Sequence, residues 1–473
     1  MRSTFFGLEI GYRGLVTHQA ALDVTGHNMS NASTPGYSRQ RAEITATDPF
    51  TYPAFNRSNR PGQMGTGSQV SAILRIRDEL IDTQIWRDTS SLGYWESRGN
   101  ILGQLESIVN EPDTESGNIR TVVDAFWKAM ENFSKSPETL EMREPLLEAS
   151  ITMCDFIRTD YTQFQLLRND TNDRIINKVD ELNQLAVEIA KLNDEIGKIT
   201  ALGDNPNDLF DKRDLLVDQV SKIVNISKTV DAQDRMSLTI QGIPLVNGKT
   251  ANKISAVPNP NDESMVELRW QVLDMPVDTR SGELQGLIEV RDEIIPEILN
   301  DLDTFASTLI TTINDLHRTG YGLDGNTGVD FFVGTDASDI YVSSQINDGV
   351  DGLRRIAAAS SKEGLEGNND IALAMAELID LKLINNGTTT MGEFMGGLVS
   401  KLGSWAQEAQ LNTKHYNLLI ENLDKKRESV CGVSMEEETT NMLRFNQGFN
   451  AAAKIINVMD EMLDVIVNKL KLF

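Results

Sequence analysis

Residues 435–473, MEEETTNMLRFNQGFNAAAKIINVMDEMLDVIVNKLKLF, place an apolar residue at every seventh position. The members of this first row are Met435, Met442, Phe449, Ile456, Leu463 and Leu470. A second row begins three residues after Met442 and consists of Phe445, Ala452, Met459, Ile466 and Phe473. Two rows with this spacing predict a helix that supercoils against a partner helix.

The amino-terminal segment carries an apolar row with the same spacing. Residues 5–32 have helical periodicity, and the turn chemistry of Pro35-Gly36 ends the helix. The row consists of Leu8, Leu15, Leu22 and Met29. Four glycines also lie in this segment, and each costs a helix about 1 kcal/mol relative to alanine, so the helix needs closely packed neighbours. The matching rows indicate that the two chain ends pair or join other copies, although a two-helix hairpin inside one core fits the spacing equally well.

Helical patterns fill most of the chain between the two ends. A short alternating strand is predicted first, at 70–76. It is followed by predicted helices at 78–110, 119–134, 138–200 and 208–224, the third of which has a heptad repeat in its second half. Later helices are predicted at 281–317, near 368–383 and at 391–430.

Residues 226–282 have a different pattern from the helical segments around them. SLTIQGIPLVNGK alternates apolar and polar residues and turns at Asn247-Gly248, which is a hairpin signal. We therefore predict a mainly α fold with a β insertion, built from three regions. The regions are paired N- and C-terminal coiled-coil helices at 1–35 and 431–473, a long helical-bundle domain at 36–225 and 283–430, and a small outer β domain at 226–282.

The composition argues against several classes of function. The chain holds 70 Asp and Glu residues against 44 Lys and Arg, which disfavours binding to nucleic acid. Its four histidines and two distant cysteines, Cys154 and Cys431, offer few ligands for zinc, haem or iron–sulfur clusters. No apolar run approaches the roughly 20 residues that span a bilayer, and the first twenty residues do not have the pattern of a cleavable secretory signal. We expect no catalytic residues, cofactor, metal or membrane insertion, and either a cytoplasmic location or export without a cleaved signal.

Motifs near both ends resemble those of a known family. ALDVTGHNMSNASTPGYSRQR at 21–41 resembles the N-terminal signature of the flagellar axial proteins, the family of rod, hook and hook-associated proteins. GVSMEEETTNMLRFNQGFNAAAKIINVMDEMLDVIVNKL at 432–470 resembles the C-terminal helix of that family. The interior, including SGELQGLIEVRDEIIP at 281–296, is most similar to the hook-associated members. The residues of the family motif are Asn28, Asn31, Thr34, Pro35, Gly36 and Tyr37.

This resemblance implies a structural subunit of the bacterial flagellum that is exported unfolded, secreted, and placed at the junction between hook and filament. The rows from Leu8 to Met29 and from Met435 to Leu470 would form its assembly interface, as part of an inner tube. The implied partners are further copies of the chain in a ring or short helical array, the hook protein below, a second junction protein above, and an export chaperone at the C-terminal helix.

Two other functions fit part of the sequence. One is a different axial component, such as a hook protein or a filament subunit. A hook protein would be dominated by β domains, whereas this chain is predicted to be helical from 78 to 224. The other is an enzyme domain, such as a wall hydrolase carried by an axial protein. That function would require paired carboxylates in a cleft or a Cys/His site, and the four scattered histidines disfavour it.

Overall fold

The computed structural model describes residues 5–49, 65–109, 118–260, 262–365 and 367–469, and these form eleven α-helices. The helices are α1 (Phe6–Asn31), α2 (Glu79–Val109), α3 (Ile119–Lys135), α4 (Leu140–Thr200), α5 (Asn207–Ile223), α6 (Glu283–Glu289), α7 (Ile295–His317), α8 (Gly349–Arg355), α9 (Asp370–Glu377), α10 (Met391–Cys431) and α11 (Met435–Asp464). A π-helical turn, Val290–Ile294, joins α6 to α7, and a second, Val465–Lys469, follows α11. The predicted fold class, mainly α with a β insertion, is confirmed.

The same described residues contain twelve short strands in five antiparallel sheets. The largest sheet has the order β3 (Ser227–Val230), β4 (Met236–Ile240), β5 (Ile243–Asn247) and β6 (Thr250–Ala251). The four remaining sheets are two-stranded. They pair β1 (Gln40–Ala46) with β2 (Ser68–Arg75), β7 (Ile254–Asn259) with β8 (Asp262–Trp270), β9 (Phe332–Val333) with β10 (Tyr341–Val342), and β11 (Lys382–Ile384) with β12 (Thr389–Thr390).

The predicted helices up to residue 224 agree with the structure to within two residues at each end. The prediction of a helix near 368–383 is confirmed for α9 and the 3₁₀ turn Leu378–Asp380 that follows it, and is wrong after Asp380. There, Asn385, Asn386 and Gly387 adopt positive φ and turn the chain into the hairpin of β11 and β12. The sequence pattern also does not predict β1, which forms because its backbone pairs along β2. The prolines and glycines of 48–69 predict an extended or loop passage, most of which lies outside the described residues.

The longest helix, α4, holds the β insertion along its second half. Asn193 of α4 accepts the backbone N–H of Met236 at 3.0 Å and donates to the same residue's carbonyl at 2.7 Å. Asn183 binds Ile254 in the same two ways, at 2.9 and 2.8 Å. Asn172 accepts a backbone N–H of β8 at 2.9 Å. Hydrogen bonds therefore connect the strands directly to the helical region. The division of the chain into three domains at the predicted boundaries remains a prediction.

One continuous hydrophobic core joins the helices to the β insertion. Among the described residues, its members extend from Trp86 in α2 to Ala409 in α10, and they include Phe126, Phe305 and Trp270. Helices α1 and α11 lie outside this core. Contacts of a different kind must therefore hold the two terminal helices to the rest of the chain.

A buried histidine makes the helical region sensitive to acid. His317, at the end of α7, is 1% exposed. Its Nε2 accepts the backbone N–H of Ala357 at 2.9 Å, and its Nδ1 donates to the carbonyl of Val329 at 2.7 Å. Burial lowers the pKa of His317 to about 4. Protonation would also place a second N–H group against the N–H of Ala357, so the fold requires the neutral ring.

We expect the free energy of unfolding to decrease as the pH is lowered from 6.5 towards 4. In this window the unfolded chain binds a proton at His317 and the folded chain does not, which costs the folded state up to about 3 kcal/mol. Urea unfolding at a series of pH values measures the effect. His317→Gln should be less stable at neutral pH but less dependent on pH, whereas the exposed control His415→Gln should keep the slope of the natural protein. An unchanged slope in His317→Gln would contradict the assignment.

Candidate assembly interface at the paired chain ends

Helices α1 and α11 pack against each other in opposite directions, and small residues on α1 allow their backbones to approach closely. A Cβ atom placed on Gly14 would lie 3.4 Å from the Cβ of Ala452. A Cβ atom on Gly11 would lie 2.9 Å from Cγ1 of Ile456, which is too close without movement. The two ends of one chain therefore form a pair, here called the terminal pair (α1 and α11).

The two predicted rows of α11 lie mostly on the face that meets α1. Contacts in the seam involve Phe445, Ala452, Ile456 and Met459. Another three members are half-buried: Met442, Phe449 and Leu463. Met435 and Ile466 are 48% and 45% exposed. Leu470 and Phe473 lie outside the described residues.

The seam on α1 is formed by a different row from the predicted leucine row. The members of the predicted leucine row are only half-buried, and each of them comes directly after a seam residue in the sequence. They are Leu8, Leu15, Leu22 and Met29. The row that faces α11 alternates steps of four and three and consists of Gly7, Gly11, Gly14, His18, Ala21, Thr25 and Asn28. The glycine spacing was the available signal for this row, because glycines at heptad positions permit close helix contacts. A role for the leucine row in contacts between subunits remains a prediction.

Large apolar side chains remain exposed on the outer faces of the terminal pair. On α11, Leu443 is 62% exposed and Met462 is 54% exposed. The other exposed apolar residues described in the pair and its flanking turns are Phe5, Tyr12, Val16, Met435, Ile455, Val458, Val465, Ile466 and Val467. Pairing within one chain therefore covers only one side of each helix.

A polar hub (Asn28, Tyr37, Arg39, Gln40 and Glu438) connects the end of α1 to the start of α11. The Asn28 amide donates to the carbonyl of Gln40 at 2.8 Å and to the Glu438 carboxylate at 3.3 Å. Its oxygen accepts the N–H of Gln40 at 2.9 Å and the Tyr37 hydroxyl at 2.7 Å. Burial, together with the nearby carboxylates of Asp208, Asp211 and Glu438, raises the pKa of Tyr37, so its hydroxyl remains a donor. Asn28 thereby uses all four of its hydrogen-bonding positions.

Arg39 binds the carboxylates at the start of α11. Its guanidinium donates to Glu438 at 2.7 Å and to Glu437 at 2.6 Å. Ser434 is followed three residues later by Glu437, a spacing that predicts a capping box with Ser434 as the N-cap of α11. The Ser434 hydroxyl accepts the backbone N–H of Glu437, which confirms the N-cap. The reciprocal half of the box is wrong, because the Glu437 carboxylate binds Arg39 instead. The sequence offered no signal for this pairing, since 398 positions separate the two residues.

The remaining motif residues form the turn that leads from α1 into the hub. Asn31 donates to the carbonyl of His27 at 3.0 Å, and the N–H of Thr34 donates to the carbonyl of Asn31 at 2.9 Å. Gly36 has a φ of +77°, which a residue with a side chain rarely adopts. Pro35 precedes it at the tip of the turn. The motif is therefore a device for reversing the chain so that Tyr37 can reach Asn28.

An ion-pair cluster beside the hub joins β2, α2, α5 and the end of α10 to one another. Its members are Arg75, Arg77, Arg427, Asp82, Asp211, Asp214 and Asp218. Arg77 donates to Asp82 at 2.6 Å, and Arg75 lies 2.7 Å from Asp214. Burial opposes ionisation of Asp214, but Arg75, Arg77 and Arg213 outweigh it and lower the pKa of Asp214.

Asp218 is the member of this cluster for which burial has the larger effect. It accepts the indole N–H of Trp86 at 2.6 Å and pairs with Arg427 of α10 at 3.0 Å. Burial nevertheless raises the pKa of Asp218. The cluster therefore attaches α5, α2 and the end of α10 to one another next to the hub, by polar contacts.

The described residues hold no group of three or more His, Cys, Asp and Glu side chains arranged to bind a metal ion. A helix with both the length and the apolar character for crossing a membrane also does not occur among them. Cys154 and Cys431 are free and buried.

The fold and the site define a structural protein whose two chain ends form a helix pair around a polar hub. A model described as the flagellar hook-associated protein FlgK helical domain matches residues 102–332. A second, described as the flagellar basal body rod FlgEFG protein C-terminal, matches residues 429–470. Flagellar hook-associated protein 1 of Bacillus subtilis is 30% identical to the chain, and the alignment covers 99% of both proteins. The chain belongs to the flagellar hook-associated protein 1 family.

More distant relatives agree with this assignment. Flagellar hook-associated protein 1 of Escherichia coli is 23% identical, with 96% of this chain and 98% of the relative covered. The solved structure of the flagellar hook junction protein FlgK from Burkholderia pseudomallei has the same fold, with a TM-score of 0.63 and 14% identity. The structural match covers 74% of this chain and 100% of the Burkholderia pseudomallei chain. The chain is therefore a structural subunit of the bacterial flagellum at the hook–filament junction, associated with other flagellar components, and not an enzyme.

Proposed function

We propose that this chain assembles through its terminal pair into a ring or a short helical array at the junction. The hook protein contacts the array from below, and a second junction protein contacts it from above. The chain is exported unfolded and secreted, and the terminal pair forms an inner tube as each subunit docks. Family membership supports the place of the array, and the exposed faces of α1 and α11 support the manner of assembly.

The observation that carries this proposal is the apolar surface left over after the chain ends have paired. Ile455, Val458, Met462 and Val465 are spaced by three and four residues, so they lie along one side of α11. Each large apolar side chain forfeits roughly 1.5–3 kcal/mol when it stays in water. Contact between this side and a different face of a neighbouring copy would bury them. A contact between unlike faces repeats from copy to copy, which produces rings or helical arrays.

Replacing Val458, Met462 and Val465 together with serine should prevent filament growth. These substitutions remove exposed apolar area and leave in place Ile455, whose Cγ2 lies in the seam beside Gly11. Electron microscopy of a deletion strain should show hooks without filaments, and the natural gene should restore the filaments. The serine variant should not restore them. The control replaces the exposed polar residues Gln447, Asn450 and Asn457 of the same helix with serine and should restore them. Full filaments with the apolar-to-serine variant would contradict assembly through this face.

We also propose that an export chaperone covers α11 before assembly. The reason is that this helix presents the longest series of exposed apolar residues described above, and such a surface requires shielding in the cell. Deletion of 436–473 should abolish co-purification of the chaperone that is isolated with the full-length protein. Deletion of 6–31 is the control and should leave the chaperone bound. Chaperone binding that survives loss of 436–473 would place its site elsewhere.

A further inference from the structure

Large and small residues change sides once along the seam of the terminal pair. Over most of the seam, α1 supplies the small residue and α11 the larger one, as in the contacts of Gly11 with Ile456 and of Gly7 with Met459. At the next turn the relation is inverted, because His18 of α1 lies over Gly448 of α11. A Cβ atom on Gly448 would lie 2.6 Å from both Cε1 and Nε2 of the imidazole. The imidazole therefore occupies a space that exists only because residue 448 has no side chain.

The chemistry around His18 indicates a role in shape. Its ring centre lies 6.3 Å from that of Phe445, and its Nδ1 is enclosed in the seam. Among the described residues, no hydrogen-bond partner lies within reach of this nitrogen. A buried polar atom without a partner costs stability. In coiled coils, a single polar seam residue specifies register at a cost in stability.

A shift of one heptad would move α11 about 10.5 Å along α1, because a helix rises about 1.5 Å per residue. In one direction, His18 would face Ile455 and lose the space it now fills. In the other direction, Gly448 would face Gly11, and two residues without side chains would leave a gap. Asn28 would also lose Glu438 in both cases. The glycines of α1 contact side chains of different sizes, those of Met459, Ile456 and Ala452, so they penalise these shifts less.

We infer that His18 and Gly448 form a size-inverted pair that fixes the register between the two chain ends. The pair selects the arrangement in which Asn28 meets Glu438 over arrangements shifted by a heptad. This inference rests on the pairing of α1 with α11 in the assembled subunit, which is part of the proposed function. It adds the residues that determine how the pair aligns.

Two cysteine reporters test the register in assembled flagella. The pair Gly14→Cys and Ala452→Cys reports the observed register, because their Cβ positions lie 3.4 Å apart, close to the spacing of about 3.5–4.5 Å in a disulfide. The pair Ala21→Cys and Ala452→Cys comes together only after a shift of one heptad. Mild oxidation, followed by mass spectrometry of the cross-linked peptides, measures both reporters within single chains. The natural cysteines are buried and remain in place.

With His18 and Gly448 present, only the Gly14–Ala452 reporter should cross-link. After His18→Ala, the Ala21–Ala452 reporter should cross-link as well. Gly448→Ala should lose filaments, and the double variant His18→Ala with Gly448→Ala should recover them, because the smaller side chain frees the space. The control Gly26→Ala should keep its filaments, since a Cβ atom there meets nothing within 4 Å.

The outcomes separate the inference from the proposed function. If the Gly14–Ala452 reporter forms but Gly448→Ala behaves like Gly26→Ala, the register inference is overturned and the pairing stands. The inference is likewise overturned if His18→Ala leaves the Ala21–Ala452 reporter unlinked. If the Gly14–Ala452 reporter fails to form with His18 and Gly448 in place, the proposed pairing itself is wrong, and the inference fails with it.

Discussion

The substitution Ile456→Asp is expected to abolish filament growth on the hook while leaving the melting temperature of the free subunit unchanged. Ile456 lies in the seam against Gly11, where an unpaired carboxylate costs several kcal/mol. The free subunit should not be affected, because α1 and α11 lie outside the continuous core and α1 is weakened by its glycines. We expect these two helices to be unfolded until a subunit docks.

Calorimetry of the purified variant and electron microscopy of the complemented deletion strain measure the two properties on the same substitution. Hydrogen exchange of the natural protein should show little protection in Phe6–Asn31 and Met435–Asp464 at low protein concentration. Asn457→Asp is the matched control, because it adds the same charge at an exposed neighbouring position. Normal motility of Ile456→Asp, or a large fall in its melting temperature as a monomer, would contradict this account of the residue.

Replacing Arg77 with methionine should destabilise the free subunit by about 3–5 kcal/mol, the usual cost of removing one partner from a buried ion pair. Arg77 forms ion pairs with Asp82, Asp211 and Asp214, and all three carboxylates are buried. Methionine fills a similar volume but cannot compensate their charge. The loss should appear in the monomer, because these residues belong to β2, α2 and α5 or adjoin them, not to the terminal pair.

Denaturant unfolding of the purified monomer at neutral pH measures this effect. Arg87→Met is the control, since Arg87 is largely exposed and pairs with a single carboxylate, that of Asp88. Exposed pairs of this kind contribute about 0–1 kcal/mol. A variant at Arg77 that unfolds at the same denaturant concentration as the Arg87 variant would show that the ion-pair cluster does not stabilise the fold.

The long helices were predictable because their stability signals are local. Apolar periodicity over 61 residues specifies α4, and the capped start of α11 is visible at Ser434. Strand β1 was not predictable in the same way, because it depends on pairing with β2 across a long connection. The hairpin of β11 and β12 could have been predicted from Asn385-Asn386-Gly387, a turn signal at the end of an apparently helical stretch.

The candidate site was predictable in its family motif but not in its contacts. Periodicity predicts the face of α11 that meets α1, but the apolar row that it predicts on α1 is not the row that forms this seam. In this pair the glycines form the contact, because residues without side chains let the backbones of the two helices approach closely. The partners of Asn28 and Arg39 could not be predicted, because hydrogen bonds between distant segments leave no periodic pattern in a single sequence.

The hydrogen bond between Asn28 and Glu438 joins residues that are 410 positions apart in the chain. Closing so large a loop is entropically costly, and contacts of such long range tend to form late in folding. If the amino terminus leaves the cell first, Asn28 is exported early, and nearly the whole chain must follow before Glu438 can bind it. The polar hub would then form only after the last helix of the subunit has been exported, so a subunit could not become fixed in the array before that point. A chain truncated before α11 could never form the hydrogen bond between Asn28 and Glu438. Such a chain would not become fixed at the growing end of the flagellum and so would not block it.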